Sequence, residues 1–197
     1  MSAVIEYAFE PKLPRLIEVD LNELPKLLRL AICRSHAALG SSRCVIPYII
    51  GVFEIISQKT QTRLNNIAKG TYTFHATSDA SLDTIIRTGF NGLRSNGIMG
   101  SGTYISPFLG FTSRYHQKYE RGGWPSVLVP DPTSDDVFIS IAALTHQNGI
   151  RWSEDETEGL VTHNTDIVPQ YIIMYVDSKK TQFEGDLHSI TTSYNPK

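Results

Sequence analysis

From Gly70 onward the chain is cut into short β-branched or alternating apolar runs by clusters of Gly, Pro, Asn and Ser. That period and that punctuation belong to strands joined by turns, so a strand-rich domain is expected from this point. Tyr72-Thr73-Phe74 reads as its first strand. Ala80 to Arg87 reads as a short helix, capped by Ser78 or Asp79 and stopped by Gly89. A glycine-rich stretch from Gly97 to Ser106 leads into the next strand. Further strands are expected at Ser126 to Val129, Val137 to Leu144, Leu160 to His163 and Tyr171 to Val176, with the polar PDPTSDD loop between the first two of these.

The N-terminal third has a different texture. Asp20 or Asn22 can cap a helix whose apolar stripe is Leu24, Leu27, Leu28, Ala31 and Ile32. Gly40-Ser41-Ser42 breaks it, and from Val45 to about Ile67 a helical pattern resumes, with Ile49, Ile50, Phe53, Ile56 and Leu64 recurring at three- and four-residue steps. Residues 1–69 are therefore expected to form a helical unit that packs as a cap on a domain of residues 70–197. The 197-residue length suits one well-buried domain with a small appendage.

Charge and cysteine usage exclude several classes. A net charge of −2 provides no overall basic field to hold nucleic acid or an anionic membrane. Cys33 and Cys44 form no CxxC, and the histidines are scattered without ligand spacing, so no metal is expected. The first twelve residues lack the basic start and apolar core of a signal peptide, and no run approaches the roughly 20 apolar residues of a membrane span. An intracellular protein, cytoplasmic or nuclear, with reduced thiols is the expectation.

The centre of the chain offers a strand ending in His75, a helix, a loop, and a glycine-rich turn at positions 97, 100 and 102 that lets backbone approach a ligand closely. Loose glycine clusters are weak evidence by themselves. The whole stretch from Phe74 to Tyr115, however, resembles the signature of the PARP-like ADP-ribosyltransferases, the diphtheria-toxin-like His-Tyr-Glu type. His75 opens the motif, Gly100-Ser101-Gly102-Thr103-Tyr104 supplies its second block, and Thr112 and Tyr115 fall eight and eleven residues beyond Tyr104, as in the family. Glu158 stands thirteen residues before Tyr171 of the C-terminal Tyr-Ile-Ile strand, the family's catalytic spacing; aligning Gln170 instead leaves too little chain for the last pair of strands. The resemblance covers about Tyr72 to Val176 and is closest to the small, endoplasmic-reticulum-anchored, mono-ADP-ribosylating branch. Ala76 replaces that branch's usual glycine, Thr112 its serine, and Glu158 its tyrosine.

The resemblance implies an α+β architecture, two packed and mostly antiparallel sheets with an NAD⁺ cleft between them and the N-terminal helices against one side. It implies NAD⁺ as co-substrate, with no metal, and transfer of ADP-ribose to a protein acceptor, the chain itself included. His75 would hydrogen-bond the adenine-side ribose. Tyr104 and Tyr115 would pack around the nicotinamide ring, and the Thr112 hydroxyl with the Ala76 backbone would grip its carboxamide. Thr77 and Gly102 complete the binding set. Glu158 would accept a hydrogen bond from the 2′-hydroxyl of the nicotinamide ribose and offset the charge of an oxocarbenium-like transition state. Glu156 is a second carboxylate that could meet the acceptor, and a donor loop is expected at Asn91 to Met99. Two rivals are an NAD- or ADP-ribose-binding pseudoenzyme, against which intact His75, Tyr104 and Glu158 argue, and an RNA 2′-phosphotransferase, against which the sparse Arg87, Arg94 and Arg114 argue.

Overall fold

The computed structural model describes residues 14–37, 46–67, 69–77, 79–91, 96–116 and 137–177. The expected strand at 126–129, the PDPTSDD loop and Cys44 lie outside these residues. In chain order the first strands are β1 (Arg15–Glu18), β2 (Pro47–Ile56), β3 (Gly70–Ala76), β4 (Asn96–Gly97) and β5 (Gly100–Ser101). They are followed by β6 (Thr103–Ile105), β7 (Phe138–His146), β8 (Ile150–Trp152), β9 (Gly159–Val161) and β10 (Ile167–Asp177). The helices are α1 (Lys26–Ala37), α2 (Gln58–Leu64), α3 (Asp79–Thr88) and α4 (Ser113–His116). The protein is thus mixed α+β, with antiparallel sheets and few helices.

Five strands form one sheet in the order β1-β2-β10-β7-β3, and three form a second in the order β6-β9-β8. Strand β10 shows how the five-stranded sheet is buried on both faces. Tyr171, Ile173 and Tyr175 point into a cluster with Leu24, Leu28 and Ile32 on the α1 side. Ile172 and Met174 point the other way, into a cluster with Leu82 and Ile85 of α3 and with Ile105 and Val161 of the small sheet. Each fully buried Ile or Leu of this kind contributes roughly 1.5–3 kcal/mol through removal from water. The small sheet is tied to the large one where β3 meets β6: Phe74 and Ser106 exchange two backbone hydrogen bonds, each 2.8 Å.

Of the expected stripe, Leu28, Ala31 and Ile32 are buried on α1 and Leu24 is buried just before it, whereas Leu27 faces outward, 59% exposed. Asp20 instead caps the short 3-10 turn Leu21–Glu23, accepting from the Asn22 amide at 2.7 Å, and α1 starts after Pro25. Cys33 on α1 is a free thiol.

The expectation of helix from Val45 to Ile67 is corrected. Residues Pro47–Ile56 form the strand β2, and helix is confined to Gln58–Leu64, capped by the Ser57 hydroxyl. The three- and four-residue recurrence of Ile49, Ile50, Phe53 and Ile56 was compatible with either period over so short a run. The β-branched content of PYIIGVFEII suits a pleated surface, and β2 gains partners on both edges: Arg15↔Ile56 through Glu18↔Phe53 on one side, Tyr171↔Glu54 through Asp177↔Pro47 on the other. The expected N-terminal helical unit therefore contains two strands, which belong to the same sheet as β3, β7 and β10.

Candidate active site

His75 is the sixth residue of β3, next to the Phe74–Ser106 junction that joins the two sheets. Its Nδ1 lies 2.7 Å from the Tyr104 carbonyl oxygen. A carbonyl only accepts, so Nδ1 carries the proton and Nε2 keeps its lone pair. No described residue pairs with Nε2. The ring packs edge-on against Phe90, centroids 5.1 Å apart. Burial pushes the imidazole pKa below its ordinary value, against a smaller opposing effect of the Tyr104 carbonyl, so the ring is neutral near pH 7. The arrangement yields a fixed, uncharged hydrogen-bond acceptor.

Tyr104 lies on β6, opposite Leu160 of β9. Its hydroxyl accepts from the Met99 amide at 2.9 Å and donates to the Gly100 carbonyl at 3.0 Å, both on the β4–β5 hairpin. The tyrosine thereby fastens the hairpin that carries the end of the expected donor loop. Of that loop, residues 92–95 lie outside the described residues, and Ile98 at the hairpin turn is fully exposed.

Glu158 immediately precedes β9, whose first residue, Gly159, pairs with Ile105. Extending that antiparallel register by one residue puts Glu158 opposite Ser106, on the same sheet face as Tyr104. The half-buried Glu158 carboxylate accepts a hydrogen bond from the Tyr115 hydroxyl through Oε1, and Oε2 has no partner among the described residues. Its backbone is clamped by Ser153, whose Oγ accepts from the Glu158 amide at 3.2 Å and lies 3.0 Å from the Glu158 carbonyl. Asp155 completes the turn, its Oδ1 accepting from the Ser153 hydroxyl, the Thr157 hydroxyl and the Thr157 amide. Those bonds, the Ser153 one first, hold the Asp155 carboxyl below its usual range. Glu156 is exposed, with a positive φ of 52° that a non-glycine residue adopts only where a turn demands it.

Ala76 ends β3. Phe74 spends its N–H and C=O on Ser106, so by the two-residue alternation of strand hydrogen bonds the Ala76 N–H and C=O face the same side, away from β7 and toward β6. Thr77, next along, is buried. Gly102 is buried against β9, where an added Cβ would lie 2.6 Å from Leu160 Cδ1 and 2.7 Å from the Val161 carbonyl oxygen. Thr112 occupies an interior position: its hydroxyl donates to the Leu109 carbonyl at 2.6 Å and sits 2.6 Å from Ser140 Oγ and 2.8 Å from the Tyr175 hydroxyl. Gln170 lies on the large sheet, accepting from the Tyr72 hydroxyl.

The sequence-expected residues thus fall into two hydrogen-bonded pairs, His75 with Tyr104 and Tyr115 with Glu158, arranged across the successive neighbours β3, β6 and β9. Thr112 is placed beneath them in the core. Sequence reasoning missed Phe90, Ser153 and Asp155. The Ser-x-Asp-x-Thr spacing of 153–157 was a local signal for the last two, since Asp and Ser side chains close such turns on nearby amides. No described group of three or more His, Cys, Asp and Glu side chains is arranged to hold a metal, and no described helix is long and apolar enough to cross a membrane. No family model matches the chain, and no curated protein matches it.

Proposed function

We propose that this protein is an ADP-ribosyltransferase: it binds NAD⁺, breaks the bond between nicotinamide and ribose, and transfers ADP-ribose to a nucleophile on a protein acceptor. The observation that carries the reading is the placement of His75 on β3, Tyr104 on β6 and Glu158 immediately before β9, strands that neighbour one another, with an unpaired acceptor at the first and a half-free carboxylate at the last. The antiparallel sheets joined at Phe74 and Ser106 are compatible with the split β-sandwich that this class of transferase uses.

The residues present suit the dinucleotide. His75 Nε2, fixed as an acceptor by the bond at Nδ1, can take a hydrogen bond from a ribose hydroxyl. The Ala76 N–H and C=O on the β6-facing side of β3 are complementary to the oxygen and NH₂ of a primary carboxamide. Glu158 Oε2 is available to a ribose 2′-hydroxyl, and the carboxylate opposes the positive charge that grows on the sugar as the nicotinamide departs with the bonding electron pair. The acceptor nucleophile then bonds to the ribose carbon and releases its proton. The Thr112 hydroxyl would have to exchange an internal partner to reach the carboxamide, so its role here is to hold the wall formed by Leu109, Ser140 and Tyr175. The connection from β8 to β9 is a short turn of residues 153–158, which offers no extended surface for a growing polymer and favours transfer of a single unit.

Incubation of the pure chain with NAD⁺, following nicotinamide release and the protein's mass, tests the proposal with Glu158→Ala alongside. Release and mass gain that disappear in the variant are expected. NAD⁺ binding by wild type without any turnover would replace the enzyme with a ligand-binding module.

A further inference from the structure

A shallow crevice, with room inside for little more than a water, lies where α2, the end of α3 and the start of β10 meet. Lys59, Arg63 and Arg87 line it, and among the described residues no carboxylate does. Arg87 is held from outside by Asp83, its Nε 2.8 and 2.9 Å from the two carboxylate oxygens. One of the three charges is thereby offset, and a surplus of two remains on a chain whose net charge is −2. Arg63 is half-buried, and among the described residues its guanidinium has neither a hydrogen-bond nor an ion-pair partner.

The Arg63 guanidinium lies against the glycine that ends α3. Gly89 ends α3 with a φ of 82°, its amide donating to the Ile85 carbonyl at 2.8 Å. The positive φ is what calls for glycine here, and the end of the Arg63 side chain lies against it, Nη1 2.6 Å from where a Cβ would stand. Val168 and Pro169 of β10 close the apolar side. A guanidinium that has lost part of its hydration without gaining a partner is unfavourable, and an anion in the crevice would relieve that cost. The planar fork of an arginine matches two oxygens of a phosphate, and Lys59 adds a point charge at the rim.

We infer that this crevice is a binding site for a phosphate group, carried either as the free ion or as the monoester end of a larger molecule. The crevice is far smaller than a pocket that encloses a whole small-molecule ligand, so a phosphoryl group would sit at its mouth against the cationic side chains, with the remainder of the molecule outside. Neither His75 nor Glu158 lines the crevice, and the inference does not rest on the NAD⁺ reading.

Isothermal titration of the full chain with inorganic phosphate, at constant ionic strength, tests it. Saturable binding is expected in wild type, weakened about tenfold or more in Arg63→Gln and, independently, in Lys59→Gln. NAD⁺ binding is expected to be unchanged in both variants. Circular dichroism identifies a variant that fails to fold, in which case the other carries the test. Phenyl phosphate distinguishes the sources: retained affinity indicates an ester-borne group, lost affinity the free ion, and either outcome supports a phosphate site. Absence of saturable binding, equal phosphate affinity in wild type and folded variants, or displacement of phosphate by NAD⁺ would overturn the inference.

Discussion

The Nδ1 of His75 is tied to the main-chain oxygen of Tyr104 at 2.7 Å, which joins the end of one sheet's edge strand to the first strand of the other. A bond to a backbone oxygen sets the imidazole tautomer whatever side chain stands at 104. It follows that Tyr104→Phe should leave His75 oriented while releasing the β4–β5 hairpin from the phenol. The expected result is a weaker affinity for NAD⁺ with little change in stability, and amide hydrogen exchange should be faster at Met99.

His75 also makes stability depend on pH. Its folded-state pKa is lowered by burial, so between that value and the unfolded value of about 6.5 the unfolded chain binds more protons than the folded one. Stability from this group is complete above about pH 6.5 and is lost as pH falls through the lowered folded pKa. Thermal unfolding of wild type and His75→Gln across this range should show the shallower pH dependence in the variant; identical profiles would refute a lowered imidazole pKa.

Glu158→Gln keeps the shape of the side chain and the bond with Tyr115 but removes the charge. Nicotinamide release should fall by roughly 10²–10³-fold, with NAD⁺ affinity changed far less. Tyr115→Phe leaves the carboxylate in place and loses its orienting donor, for which about a tenfold fall in kcat is expected. Single-turnover kinetics would separate the two effects.

Ser153→Ala removes the hydroxyl that meets both the amide and the carbonyl of Glu158. A loss of about 1 kcal/mol in urea unfolding is expected, with a fall in kcat although Glu158 itself is intact. Unchanged turnover would mean that the β8–β9 turn is rigid without this clamp.

Thr112→Val should be costly in the core. The Leu109 carbonyl loses a donor, and the Ser140 and Tyr175 hydroxyls lose a shared partner, for a destabilisation of about 1–3 kcal/mol in denaturant unfolding. Thr112→Ser, which keeps the hydroxyl, should recover most of it.

Much of the strand framework was readable because its signals are local. The alternation in β3, the glycine that stops α3, and the apolar runs of β7 and β10 each declare their elements within a few residues. Strand β2 was not readable in this way. Its Ile and Phe positions satisfy a helical spacing as well as a strand, and the choice was made by hydrogen-bonding edges that β1 and β10 present from far along the chain.

The same division runs through the candidate site. Residue types and spacings singled out His75, Tyr104, Tyr115 and Glu158, since a motif is a property of sequence order. What joins them is decided only in three dimensions: the Phe74–Ser106 junction, the 2.7 Å bond from His75 to a backbone oxygen 29 residues on, and the carboxylate met by a tyrosine 43 residues before it. Interior competition for hydrogen bonds likewise committed Thr112 to Leu109, Ser140 and Tyr175, because a buried hydroxyl must find partners among whatever the packed elements bring within reach.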